Sequence, residues 1–259
     1  MTGTVIPRRR LMAQGVGLAV GTALAGSTAA TLLAPPARAT AAVPKSTGPQ
    51  PDAAMRSLHA RRRRVLTGRP SANGWEMHKA IDTGMSLATC PVPGTGLYVA
   101  VRTGAPEAVL VHVIRRFHYD IDALGRPGEP DPVRGWTSPS DVRDSRLPES
   151  NQASGTAVAI RPGSYPPSVR EGFTPGQLLI IRDILADTEG IVRWGGDDRR
   201  PYEALFYLHV RPGDPRLMRV AEKIRAWNET PGVGAGVLAD MSQTARRRAA
   251  RYRWLHAAG

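Results

Sequence analysis

Two stretches hold side chains whose types and spacing come closest to those of an active site. SNQASGTAVAI (residues 150–160) offers the hydroxyls of Ser150 and Ser154 and the amide of Gln152. IVRWGGDDRRPYEALFYLHV (residues 191–210) offers Asp197, Glu203 and His209. Nucleophilic hydrolysis would need a serine backed by a base, and neither serine has a histidine nearby in sequence. Metal-assisted hydrolysis would need three imidazole, thiolate or carboxylate ligands around an open fourth position. His78, His112, His118, His209, Asp197 and Cys90 are scattered, with no H-x-x-x-H or paired-cysteine spacing among them. Cys90 is the single cysteine, which excludes an intramolecular disulfide; it reads as a small buried residue, and stability is expected from packing.

The elements that must position these residues can be read between about Asn73 and Trp227. LYVAVR (97–102) has the composition of a strand, and Pro106 to Tyr119 reads as a helix with Val109, Val113 and Phe117 on one stripe. A Pro- and Gly-rich loop from Gly125 to about Pro148 is long enough to cover a groove. Thr156 to Ile160 reads as a short strand whose residues 157 and 159 share a face. Thr174-Pro175-Gly176-Gln177 is a capping box, and the helix it opens runs to a stop at Gly190. Ile191 to Trp194 and Ala204 to Val210 read as strands around a Gly195–Asp198 turn. Asp214 caps a last helix, Pro215 to Trp227, with Leu217, Val220, Ala221, Ile224 and Trp227 inward. The chain shows no internal repeat. The expected class is α+β, a small and mainly antiparallel sheet flanked by helices.

The chain has 259 residues, with 35 Lys+Arg against 22 Asp+Glu and a formal net charge of +13. Arg8, Arg9 and Arg10 precede a small, apolar stretch from Leu11 to Ala34, and no acidic residue comes before Asp52. This is the pattern of an export signal, its weakly hydrophobic core and paired arginines fitting the twin-arginine route; an uncleaved anchor is the other reading. Ala37-Arg38-Ala39 suits a signal peptidase, so residues 1–39 are expected to be removed, leaving no stable membrane span. Without the four arginines of that segment the count is 31 against 22, a net of +9. The charge gathers at Arg61 to Arg64, in a Pro- and Ala-containing leader (40–72), and at Arg246 to Trp254, in a tail (231–259). These runs either bind an anionic partner, outside a cell a wall polymer or lipid headgroup rather than nucleic acid, or are solvated ends.

From about Trp75 to Trp227 the chain resembles the D-alanyl-D-alanine carboxypeptidase family of zinc peptidases, which shares its fold with the hedgehog signalling domain. RRFHYDI (115–121) is similar to the family's first helix. SNQASGTAVAI is similar to its first metal segment, S-x-H-x-x-G-x-A-x-D, and IVRWGGDDRRPYEALFYLHV to its second, where the family reads close to WGGD followed by D-x-M-H-F. GFTPGQ and the helix after it also fit. The resemblance implies a D,D-peptidase-like domain over 73–230. It also implies a zinc held by two histidines and an aspartate, with a carboxylate three residues before the second histidine as base.

Carried onto this chain without a gap, the ligand positions are Gln152, Ala159 and Phe206, and the base position is Glu203. An amide oxygen, a methyl and a phenyl ring will not hold zinc, so no metal cofactor is expected. His209 lies three positions after Phe206, an odd offset that puts it on the other face of the strand. Glu203 is then a vestigial base or a surface carboxylate beside Arg199 and Arg200. By the same resemblance Arg143, Ser150, Gln152, Trp194 and Asp197 are candidates for substrate binding, Arg143 as the partner of a substrate carboxylate or as a solvated arginine. The expected protein is an exported, wall-associated pseudoenzyme that binds peptidoglycan peptide or a wall partner through the old groove. A D,D-peptidase with an altered metal set and a basic adhesion protein binding an anionic wall polymer are the alternatives.

Overall fold

The computed structural model describes residues 51–81 and 86–236. The expected signal (1–39), residues 40–50 and residues 237–259, with the second arginine run, lie outside the described residues.

Helices start where the sequence supplies caps. Thr174 Oγ1 accepts from Gln177 N at 3.3 Å and Gln177 Oε1 accepts from Thr174 N at 2.9 Å, which opens a helix at Pro175–Asp187. Asp214 accepts from Arg216 N at 2.9 Å and opens Pro215–Glu229. Numbered along the chain, the helices are α1 (Pro51–Val65), α2 (Ala105–Asp120), the short α3 (Ser150–Ala153), α4 (Pro175–Asp187) and α5 (Pro215–Glu229).

All strand pairings are antiparallel. β1 (Leu66–Pro70) pairs with β2 (Glu76–His78), and β3 (Leu87–Val92) with β4 (Leu97–Arg102). The main sheet runs in the order β5 (Val133–Arg134), β6 (Ala157–Ile160), β8 (Leu205–Leu208), β7 (Val192–Trp194). The described chain is thus α+β, with small antiparallel sheets and helices packed against them.

The core lies on one face of the main sheet. Val158, Ile160, Phe206, Leu208, Val192 and Trp194 point into it, against Val109, Val113 and Phe117 of α2, Ile181 and Ile184 of α4, and Val220 and Ile224 of α5. Removing this much apolar surface from water is the main source of stability in a chain without disulfides. Cys90 belongs to the same cluster, and burial, with Glu107 beside it, pushes its thiol up to about 11. Arg116 ties α2 to α4 through Asp183 and Asp187, and His112 Nε2 reaches the same Asp187 at 3.3 Å.

Two boundaries differ from the sequence reading. Within the basic leader read over 40–72, residues 51–70 are folded: Pro51–Val65 is helical, Val65 is buried and β1 pairs with β2. Nor does the folded unit begin at Asn73, because Ala72 N donates to Ser150 Oγ at 2.9 Å and the Ser71 and Ser154 hydroxyls lie 2.9 Å apart. A run of four arginines hid the helix, whose apolar face is too small to give a period. The long 125–148 loop likewise supplies β5 and is pinned by Trp136, whose backbone N donates to Ala100 O at 2.7 Å and whose ring N donates to His78 O at 3.1 Å.

Candidate functional site

The face of the main sheet opposite the core carries what the resemblance would make the site. Antiparallel register puts directly paired residues on the same face. One row across the sheet is Arg134, Ala159 and Leu205; the next is Ala157, Tyr207 and Arg193. The alternating rows, with Val158, Phe206 and Trp194 in line, face the core. Ala157, Ala159 and Leu205 make a floor that Tyr202, Tyr207 and Ala204 cover, so the two alanines and the leucine have no exposed surface.

SNQAS begins as α3 and leads into this floor through a turn at Gly155. Gly155 has φ 69°, and a Cβ there would stand 2.7 Å from Arg102 N, so only glycine fits. The approach lets Arg102 N donate to Gly155 O at 2.8 Å, docking the β3–β4 hairpin. Ser150 is fully buried and donates to Ser145 O at 2.9 Å. Asn73 completes the frame: its backbone N donates to Asn151 Oδ1 at 3.1 Å, and its amide donates to Thr156 Oγ1 and Leu208 O, both at 2.9 Å. Gln152 turns its amide to β5 and the residue after it, donating to Arg134 O at 3.2 Å and Gly135 O at 3.0 Å.

These positions do not fit a zinc ion. Gln152 turns its amide N–H groups to backbone carbonyls and leaves only a neutral amide oxygen as a donor, Ala159 has no donor, and Phe206 lies in the core on the other side of the sheet. The ungapped alignment therefore does not bring 152, 159 and 206 together; the residue of β8 that stands beside Ala159 is Leu205. Among the described residues no three His, Cys, Asp or Glu side chains group where they would hold a metal. His209 is exposed just past β8.

Glu203 is not a surface carboxylate beside Arg199 and Arg200. It is 5% exposed, and its two oxygens accept from Glu171 N at 3.0 Å and Gly172 N at 2.9 Å. Glu171 has φ 70°, and a Cβ on Gly172 would come 2.7 Å from Glu203 Oε2. Glu203 thus anchors the backbone at 171–172 through both oxygens, a structural use of a carboxylate. That segment delivers Phe173 into the core, 5.9 Å from the Trp194 ring.

Trp194 is a core residue, 3% exposed, with its ring N donating to Glu203 O at 2.7 Å and Arg182 5.2 Å above its ring. It cannot touch a ligand on the opposite face. Asp197 is exposed but engaged by both terminal nitrogens of Arg182. Arg143 is exposed on the segment before α3.

The polar groups on the site face are ones the sequence reading passed over. Tyr207 donates to Asp198 at 2.9 Å and 3.1 Å. Burial raises the Asp198 carboxyl above its ordinary value, with the Tyr207 hydroxyl and Arg193 acting against the rise. Burial, with Asp198 nearby, raises the Tyr207 phenol, and burial also raises Tyr202. Arg134 is exposed and pairs with Asp131; Arg193 is half-buried. Their signal was the period of two: counting back from Tyr207 through its partner gives Arg193, not Trp194. Chemically this face holds two guanidinium groups, on the two opposite edge strands, and a phenol–carboxylate pair; guanidinium suits recognition of a carboxylate or amide oxygen.

Compared with models of known protein families, with curated proteins and with solved structures, the chain matches none.

Proposed function

We propose that this chain is an exported protein of D-alanyl-D-alanine carboxypeptidase-like ancestry and hedgehog/D,D-peptidase-like fold that has lost zinc hydrolysis. In this reading it acts by binding peptidoglycan peptide or a wall partner. The observation that carries the reading is the state of Glu203: the carboxylate at the base position spends both oxygens on backbone N–H groups. The amide, methyl and phenyl ring at the three ligand positions support it. The closed floor narrows the binding surface from the old groove to its rim, where Arg134 and Arg193 have solvent access and a peptide carboxylate is the group their geometry suits.

The test is the zinc content of the full purified chain after zinc exposure and removal of excess, followed by sedimentation with purified peptidoglycan. Expected are negligible metal and co-sedimentation that weakens when Arg134 and Arg193 are both changed to Gln. One zinc per chain with chelator-sensitive release of D-alanine would establish a working peptidase instead. Metal-free protein that ignores peptidoglycan would leave the loss of hydrolysis standing and overturn the binding.

A further inference from the structure

We infer that the cleft between the last turns of α1 and the β1–β2 hairpin binds a phosphate-bearing anion. The cleft has a volume of about 510 Å³ and is lined by His59, Arg62, Arg63, Thr67, Glu76 and Lys79 among others. That size lies within the roughly 300–1,000 Å³ range of small-ligand sites.

α1 is not explained by packing. Val65 is its one buried residue, and Arg61 to Arg64 are all exposed. Its only acid, Asp52, lies in the first turn, so no helical neighbour neutralises the arginines of the last. A helix C-terminus ordinarily repels anions through its unpaired carbonyls. Here Lys79 answers that end twice, its backbone N donating to Val65 O at 2.7 Å and its Nζ to Arg63 O at 3.1 Å. The one carboxylate in the lining, Glu76, is turned to Gly68 N at 2.9 Å. Arg62, Arg63 and Lys79 therefore set three positive charges against the single negative charge of Glu76, with Lys79 Nζ also held by Arg63 O. Guanidinium forks match phosphate oxygens in pairs, and a polymer or surface of singly charged phosphodiesters offers several such groups to three cations at once. A phosphodiester of a wall polymer and a lipid headgroup share this chemistry. The inference sharpens the expectation of an anionic partner for this arginine run and does not rest on the pseudoenzyme reading, whose tests concern another surface.

The experiment titrates the full chain with inorganic pyrophosphate by calorimetry, comparing Arg62→Gln/Arg63→Gln with a control of equal charge, Arg219→Gln/Arg225→Gln on α5. All four arginines are exposed, so neither pair disturbs the core. The first pair should weaken binding by about tenfold or more and the control by less than about twofold, since only the first removes charge-assisted contacts. Competition by soluble glycerol phosphate oligomers would assign the site to a polymer, and competition only by phosphatidylglycerol vesicles, with phosphatidylcholine inert, would assign it to a membrane surface. No measurable pyrophosphate binding, or equal loss in the two variants, would overturn the inference.

Discussion

The two faces of the main sheet are made by the same short strands, yet they differ in what the next layer is made of. On one, Phe206, Leu208, Val158 and Trp194 meet three helices and are sealed. On the other, Ala157, Ala159 and Leu205 cluster with Tyr202, Tyr207 and Ala204, and Tyr165 packs against them, with Arg134, Arg193 and Asp198 around. One face thus carries mostly small residues under an aromatic cover, and the other large apolar side chains under helices. Which face a residue occupies is set by pairing register, and a slip of one position exchanges the two roles.

The strongest way to break the comparison is to build a metal site twice. Gln152→His, Ala159→Asp and Leu205→His together place all three new donors on the site side of the sheet. Replacing Leu205→His by Phe206→His moves one donor into the core. The first set is expected to bind zinc and the second to bind none, read by metal analysis of purified protein. Phe206→His alone should cost about 3 kcal/mol or more in denaturant unfolding, because it removes a buried ring and buries an unpaired polar group. Zinc taken up by the second set, or by neither, would show that the faces are wrongly assigned or that the floor no longer holds the metal geometry.

Glu203 stands between the faces, its side chain on the 171–172 backbone and its carbonyl on Trp194. Glu203→Gln keeps the shape but replaces one acceptor oxygen with a donor facing an N–H. A loss of about 1–3 kcal/mol is expected, with faster amide exchange at Glu171 and Gly172. Unchanged stability would return Glu203 to the role of a free base.

The sequence was most legible where the cause of structure is local. The capping box at Thr174 to Gln177, the Asp214 cap and the stripes of α2 and α5 need only neighbours three or four residues away, and each was placed to within a few residues. The β4 strand was read to its ends. The site was legible as a region but not as a geometry. Phe206 was counted into it because a motif spacing carries no register, and register comes from β6, nearly fifty positions earlier. Trp194 was misplaced for the same reason. The partners of Glu203 lie 32 and 31 residues upstream, on a segment with a positive φ at Glu171, which no propensity announces. Arginine runs masked α1, since charge density hides a helix whose support comes from its ends.

Smaller in effect is the phenol–carboxylate pair. The folded Asp198 pKa is raised above its ordinary value of 3.8, so the native state holds this proton more tightly than the unfolded chain. The stability it contributes is fully present below the unfolded pKa and is lost as pH rises through the folded one. Asp198→Asn should flatten unfolding free energy against pH just above 3.8. Tyr207→Phe removes the hydroxyl that favours the ionised form, so it should cost about 1 kcal/mol at neutral pH and move the Asp198 titration further upward. A titration that stays where it was would mean that the hydroxyl does not act on this carboxylate.

The rim should respond least in stability and most in binding, and that separation is what distinguishes a site face from a second core. Arg134 is exposed and its pair with Asp131 is a surface one, worth about 0–1 kcal/mol. Arg134→Gln should therefore leave unfolding nearly unchanged, and Arg193→Gln should add only the loss of a half-exposed charge beside Asp198. If guanidinium groups over the alanine floor are what a peptide carboxylate meets, the double variant loses affinity for muramyl peptide while its melting curve stays in place. If affinity and stability instead fall together, the arginines are holding Tyr202 and Tyr207 down over Ala157 and Ala159. The second face would then be a small core with a charged edge, and the binding surface would have to be sought elsewhere on the molecule.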